Sequence, residues 1–101
     1  MANRRMINKD DCESARYRKL SIEQRFLFEH IMLYADDDGV MWCPNIKPWI
    51  FPFDEELTED VIRLQLKNLE LNRFIRRYEV EDECYLVVLD WWTRQFIDTK
   101  M

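Results

Sequence analysis

The sequence predicts one small α+β domain, and three observations support this prediction. The chain has 101 residues, of which 48% are apolar and 14% aromatic, enough to fill one core of ordinary size. Apolar residues recur at spacings of three and four in segment 22–35, and in segment 61–71 many apolar residues surround a polar stripe of the same spacing; both patterns are typical of helices. Two β-rich runs, 74–80 and 84–89, are joined by a short acidic segment, which indicates a hairpin.

The first 20 residues are predicted to be a basic arm with little regular structure. Residues 1–25 carry seven basic and four acidic side chains, whereas the other 76 residues carry eight basic and 16 acidic ones. We therefore expect three parts: an arm over residues 1–20, a domain over 21–97 and a short tail over 98–101.

The first long helix is predicted to begin after Ser21, a good N-cap residue followed by Glu23 and Gln24. It should end at the acidic run 36–38, where Gly39, the single glycine of the chain, can adopt positive φ. Residues 40–42 then form a short apolar run that indicates a strand. The sequence thus places a helix, a turn and a strand in succession.

Prolines 44, 48 and 52 exclude a regular long helix, so we expect a short, distorted helix followed by a loop. Asp54 or Thr58 is predicted to cap the next helix. Six apolar residues are expected to cover most of its circumference, which predicts a helix buried on more than one side: Val61, Ile62, Leu64, Leu66, Leu69 and Leu71. In the hairpin that follows, the second run is continuously apolar and is predicted to be the inner strand.

The order helix, short strand, short helix, longer helix and hairpin is that of a winged-helix domain. Such a domain has a three-helix core containing a helix-turn-helix pair, and its C-terminal β-hairpin, the wing, covers an edge that the helices leave exposed. In DNA-binding members the third helix enters the major groove and the hairpin reaches the flanking backbone. Because a fold does not fix a function, a domain of this kind that binds only protein is the alternative.

Several short segments together resemble the N-terminal domain of phage replisome-organiser proteins, which are relatives of DnaD-type primosome components. The segments that carry the resemblance are Arg4-Arg5-Met6, residues 34–40, Pro44, Phe74-Ile75, residues 86–91 and Phe96-Ile97. The resemblance spans nearly the whole chain. It implies a winged-helix domain that helps to start phage or prophage DNA replication by binding DNA, by self-association or by both, together with other replication proteins.

Seven basic residues are the candidate DNA contacts. Arg63 and Lys67 lie one turn apart on the third helix, Arg73 follows it, Arg76 and Arg77 lie on the hairpin, and Arg4 and Arg5 lie in the arm. The equally weighted alternative is a solvated helix face on which Asp60, Arg63, Lys67 and Glu70 pair with one another. The net charge of −5 favours this alternative, because affinity for DNA comes largely from neutralising phosphates.

Tryptophans are candidates for a second kind of surface. Trp49, Trp91 and Trp92 would form a site for self-association or for a protein partner if they are exposed, although core packing is the commoner role in a small domain. The function classes that remain are therefore a DNA-binding domain, a protein-interaction or oligomerisation module, and a phage transcription regulator.

The sequence offers no material for a catalytic, metal or cofactor site. His30 has no partner at a catalytic spacing, and one glycine cannot supply a phosphate-binding loop. Cys12, Cys43 and Cys84 form neither a disulfide framework nor a zinc motif and are predicted to be free thiols, which fits a reducing cytoplasm. We expect a cytoplasmic protein, not an enzyme, with no cofactor, no small-molecule substrate and no membrane span.

Overall fold

The computed structural model describes residues 15–91 and has an α+β architecture. The helices are α1 (Ala15–Arg18), α2 (Ile22–Tyr34), α3 (Ile46–Ile50) and α4 (Glu59–Leu71), with a 3₁₀ helix (Cys43–Asn45) directly before α3. The strands are β1 (Val40–Trp42), β2 (Ile75–Val80) and β3 (Glu83–Val88), which form an antiparallel sheet in the order β1-β3-β2. The predicted inner strand is confirmed, since β3 pairs on both sides.

Helix α2 begins where the sequence predicts it. The Ser21 hydroxyl accepts a hydrogen bond from the backbone N–H of Gln24, and the Gln24 side chain accepts one from the backbone N–H of Ser21. This reciprocal pair is a capping box, which satisfies two donors at the helix start. Thr58 caps α4, as one of the two predicted candidates, by accepting from the backbone N–H of Val61.

The turn between α2 and β1 is closed by Asp36. Its Oδ1 accepts hydrogen bonds from the backbone N–H groups of Asp38 and Val40, each at 2.9 Å. Gly39 has φ +80°, the left-handed conformation that glycine adopts at low cost. The acidic run is thus a turn that ends the helix and starts the strand.

The core lies between the helices and one face of the sheet. Helix α2 packs against both α3 and α4, and α4 packs against β2. The largest fully buried side chains include Phe28, Phe74, Leu27, Ile31, Leu69, Ile75 and Leu86. Phe28 and Phe74 bring their ring centroids within 4.8 Å, so they join α2 to the start of β2.

The core also includes residues before Ser21, in the segment predicted to be an arm. Tyr17 and Leu20 are buried, and the Tyr17 hydroxyl lies 2.6 Å from Glu29 Oε2 on α2. In the sequence, two apolar residues three positions apart among many charged ones are only a weak indication of a buried helix. Their burial shows that the folded region extends back at least to α1.

The prediction that α4 is buried on more than one side is wrong. Ile62, Leu66 and Leu69 face the core, whereas Val61, Leu64 and Leu71 are exposed. The apolar residues were too evenly distributed to reveal which stripe the neighbouring elements would cover. The described part of the domain therefore leaves an apolar strip on the outer face of α4.

Candidate nucleic-acid interface

Helix α4 has an acidic beginning and carries its predicted DNA contacts further along. Thr58 fixes the helix start, and Glu59 and Asp60 lie in the first turn, near the positive end of the helix dipole. The preceding loop adds three exposed acids, Asp54, Glu55 and Glu56. The first basic residue of α4 that could contact a phosphate is thus Arg63.

Arg63 is engaged by one of these acids. Its Nη1 donates to Asp60 Oδ1 at 3.0 Å, one turn earlier on the helix. Both side chains are well exposed, at 65% and 90%, so the pair contributes at most about 1 kcal/mol. Arg63 can exchange this partner for a phosphate at small cost, but its charge is already balanced.

Arg77 is held more firmly, by Glu70. Nε and Nη2 of Arg77 donate to Glu70 Oε1 at 3.2 and 3.0 Å, and the backbone N–H of Arg77 donates to Oε2 at 3.0 Å. The backbone hydrogen bond from Arg77, assisted by its guanidinium, lowers the pKa of Glu70. This arrangement ties α4 to β2, so Arg77 is a structural residue in the described domain.

The two hairpin arginines point to opposite sides of the sheet, because side chains alternate along a strand. Ile75 is buried and Arg77 is half-buried on the face toward α4, whereas Arg76 lies between them on the other face and is exposed. Arg76 makes no ion pair with any residue in the range 15–91. Arg76 and Arg77 therefore do not lie on the same face of the sheet.

Lys67 and Arg73 are the unpaired cations at the C-terminal half of α4 and the turn after it. Both are exposed and have no acidic partner within the described range. Arg73 adopts φ 64° in this turn, and its carbonyl oxygen accepts a hydrogen bond from Arg16 Nη1 at 3.4 Å. The Arg16 guanidinium also lies 5.1 Å from the centroid of the Phe74 ring. Arg16, in the last part of the predicted basic arm, thus lies against this turn. Arg4 and Arg5 lie outside the described residues.

The three candidate tryptophans have different environments. Trp91 is 3% exposed and its Nε1 donates to the Asp37 carbonyl at 2.8 Å, so it is a core residue and not part of an exposed patch. Trp49 is 47% exposed and lies 6.1 Å from Tyr34, ring centroid to centroid. Trp92 lies outside the described residues.

Trp49 belongs to a surface groove that the sequence did not reveal. The groove, which we call the aromatic groove, lies where the end of α2, strand β1 and helix α3 meet, and it includes Leu33, Tyr34, Val40, Trp42, Pro48 and Trp49. Trp42 is 39% exposed and is held in place by a hydrogen bond of 2.8 Å from its Nε1 to Glu83 Oε2. Because these residues come from three elements, only the tertiary fold brings them together.

A second, smaller cavity of about 170 Å³ lies between the 3₁₀ helix, α3, α4 and the hairpin. It is lined by three cations, Lys47, Arg63 and Arg77, with Glu59, and by the thiols of Cys43 and Cys84. The sequence predicts isolated cysteines, but the structure brings these two together, with 2.7 Å between their sulfur atoms. Both are free thiols.

His30 packs on the surface of α2. Its ring stacks on Phe26 with 4.0 Å between centroids, and its Nδ1 lies 2.8 Å from the Phe26 carbonyl oxygen. Within the range 15–91, no three His, Cys, Asp or Glu side chains are grouped so that they could hold a metal ion. In the same range, no helix has the length and apolar character needed to cross a membrane.

Comparison with known proteins finds no matching family model, no matching curated protein and no matching solved structure.

Proposed function

We propose that this chain is a winged-helix domain that binds DNA, mainly through phosphates, in the initiation of phage or prophage DNA replication. The observation that carries the proposal is the connectivity of the domain. The elements α2, β1, α3, α4, β2 and β3 follow one another in the winged-helix order, and β3 lies between β1 and β2 in the sheet. In this arrangement α4 corresponds to the recognition helix and the β2–β3 hairpin to the wing.

The distribution of charge favours phosphate contacts over base reading. Recognition helices read bases with residues near their N-terminus, and here that end carries Glu59 and Asp60 beside an acidic loop. These carboxylates repel DNA phosphates. Lys67 and Arg73, which have no acidic partner among residues 15–91, and Arg16 against the same turn instead favour docking by the C-terminal half of α4.

The role in replication is supported by the resemblance to phage replisome organisers, which spans the turn 34–40 and the strand leading to Trp91. These two segments are in contact in the fold, because Trp91 packs on Gly39 of that turn. The domain would supply binding and positioning on DNA.

The experiment is a fluorescence-anisotropy titration of labelled duplex and single-stranded DNA at several salt concentrations. We expect micromolar affinity that falls steeply with salt, because bound phosphates release counterions. The variant Lys67→Ala/Arg73→Ala should weaken binding about tenfold or more and lower the salt slope by about two. The matched control is Arg63→Ala, which removes a cation already paired with Asp60 and should have a smaller effect.

Absence of binding at low salt, or equal losses in the control and the double variant, would overturn the proposed interface. Circular dichroism of each variant separates loss of contact from loss of fold. All of the substituted side chains are exposed, so we expect the fold to remain intact.

Self-association or binding of a protein partner is the second candidate function, and the aromatic groove favours it. Leu33, Tyr34, Trp42 and Trp49 are each about two-fifths to one-half exposed although they are large and apolar. Exposed aromatic clusters of this kind are typical of protein interfaces. Sedimentation velocity over a range of concentrations tests self-association, and a dimer that Trp49→Ala dissociates would support it.

A further inference from the structure

Cys43 directly follows β1 as the first residue of the 3₁₀ helix, and Cys84 lies in β3. Trp42, the last residue of β1, pairs with Tyr85 of β3, so the two cysteines adjoin this pair on the same side: Cys43 follows Trp42 and Cys84 precedes Tyr85. Facing residues of antiparallel strands have Cα atoms about 4.5–5.5 Å apart, which lies within the range that a disulfide spans. The sulfur atoms are 2.7 Å apart, within about 1 Å of the bonded distance of about 2.05 Å.

We propose that Cys43 and Cys84 are a redox-responsive dithiol, which a small disulfide oxidant converts reversibly into an intramolecular disulfide. The two thiols belong to segments 41 positions apart in the sequence, and the fold alone brings them into contact. Both side chains are half-buried and line the cavity beside α4, so a small reagent can reach them. This inference goes beyond the proposed DNA binding and does not depend on it.

The reaction is two thiol–disulfide exchanges. One cysteine loses its proton, and its thiolate attacks a sulfur of the oxidant, forming a mixed disulfide and releasing one thiol. The second cysteine then attacks the protein sulfur of that mixed disulfide and releases the second thiol. Two electrons pass to the oxidant, whose S–S bond is broken while the Cys43–Cys84 bond forms, and the two cysteine protons end on the two released thiols.

The surroundings of Cys43 indicate that this thiol reacts slowly with an oxidant. Burial and the adjacent Cys84 raise the pKa of Cys43, while the Arg77 guanidinium opposes that rise. Cys43 is therefore a protonated thiol at neutral pH, and thiols react far more slowly than thiolates. Initial attack on the oxidant by Cys43 should therefore be slow.

The bond would join the junction of β1 and α3 to the central strand. The closed loop contains α3, α4 and β2, so the cross-link would restrict the unfolded chain substantially. It would also fix one wall of the cavity that Arg63 and Arg77 line. Oxidation should therefore stabilise the domain without a change in its fold.

The test uses the full chain with Cys12→Ser, which leaves only the two cysteines of interest. The protein is incubated with mixtures of oxidised and reduced glutathione, and its free thiols are titrated after denaturation. We expect loss of both thiols, recovery of both with dithiothreitol, and a Cys43–Cys84 peptide in the mass spectrum of the digested, alkylated protein. The melting temperature of the oxidised form should be higher by about 5 °C or more.

The control is Cys12→Ser/Cys84→Ser, which can form only a mixed disulfide with glutathione and should show no such rise in melting temperature. Circular dichroism verifies its fold, and Cys12→Ser/Cys43→Ala serves in its place if it does not fold. Persistence of two free thiols, glutathione adducts without the internal bond, or a lower melting temperature after oxidation would each overturn the proposal.

Discussion

The indole ring of Trp91 lies so close to Gly39 that a Cβ added to Gly39 would come within 2.7 Å of Trp91 Cγ and Cδ2. The contact is reinforced by the hydrogen bond from Trp91 Nε1 to the Asp37 carbonyl and by one from the Val88 N–H to the Gly39 carbonyl. The turn after α2, the end of β3 and Trp91, three residues beyond β3, are thus held together. Gly39 is required here both by its positive φ and by the ring.

Replacing Gly39 by alanine should therefore destabilise the domain severely. The left-handed conformation costs about 1 kcal/mol with a side chain present, and displacing a buried ring adds about 1–3 kcal/mol. We expect the free energy of unfolding, measured with urea, to fall by about 2–4 kcal/mol. In a Trp91→Leu background the same substitution should cost clearly less, and equal costs in the two backgrounds would contradict the contact.

The hairpin turn offers a stabilising substitution. Val80 pairs with Glu83, so Glu81 and Asp82 form a two-residue loop, and both have positive φ, 52° and 66°. This combination is typical of a type I′ turn, for which Asn-Gly is the preferred sequence. Glu81→Asn/Asp82→Gly should raise the free energy of unfolding by about 1 kcal/mol. Asp82→Ala is the control and should lower it, since alanine tolerates positive φ poorly.

The elements from α2 to β3 were predictable from the sequence because their signals are local, whereas α1 was not. Ser21 with Gln24, the glycine after three acids, and the continuous apolar run of β3 each indicate a boundary or a position within a few residues. The pairings that decide the candidate site are long-range. Neither the meeting of Glu70 with Arg77 nor that of Cys43 with Cys84 has a signature at fixed spacing, because each depends on how a strand docks.

The candidate interface was likewise predictable only where its signals are local. Strand alternation could have separated Arg76 from Arg77, since one of two adjacent strand residues must face away from the core. No sequence rule indicated that Glu70 would take Arg77 or that Trp91 would be buried under Gly39. Which of the candidate cations lack an acidic partner among residues 15–91, namely Lys67, Arg73 and Arg76, is therefore known only from the structure.

The capping box at Ser21 should contribute measurably to stability. Ser21→Ala removes the hydroxyl that accepts from the Gln24 N–H at the start of α2, leaving that donor to water. We expect a loss of about 1 kcal/mol in the free energy of unfolding. Ser21→Asp, which keeps an acceptor, should restore most of it, and a neutral effect of the alanine substitution would show that the cap does not stabilise the helix.

The Glu70–Arg77 pair predicts a specific dependence of stability on pH. The backbone and side-chain hydrogen bonds from Arg77 lower the pKa of Glu70 below its ordinary value of 4.5, so the folded state favours the ionised carboxylate. This contribution is fully present above pH 4.5 and is lost as the pH falls through the lower pKa of the folded state. The side chains are 34% and 24% exposed, so solvent screening keeps the contribution small.

Glu70→Gln should accordingly lower the free energy of unfolding by about 1 kcal/mol near neutral pH. The difference from the unsubstituted protein should shrink as the pH falls from 4.5 through the lower pKa of the folded state, because below that pKa both proteins carry an uncharged side chain at this position. Urea unfolding across this pH range measures the effect. Asp60→Asn is the matched control, since it removes the acid of the more exposed Arg63 pair, and it should change stability by less than about 0.5 kcal/mol. A pH-independent cost of Glu70→Gln would mean that the side chain stabilises the domain through packing and not through its charge.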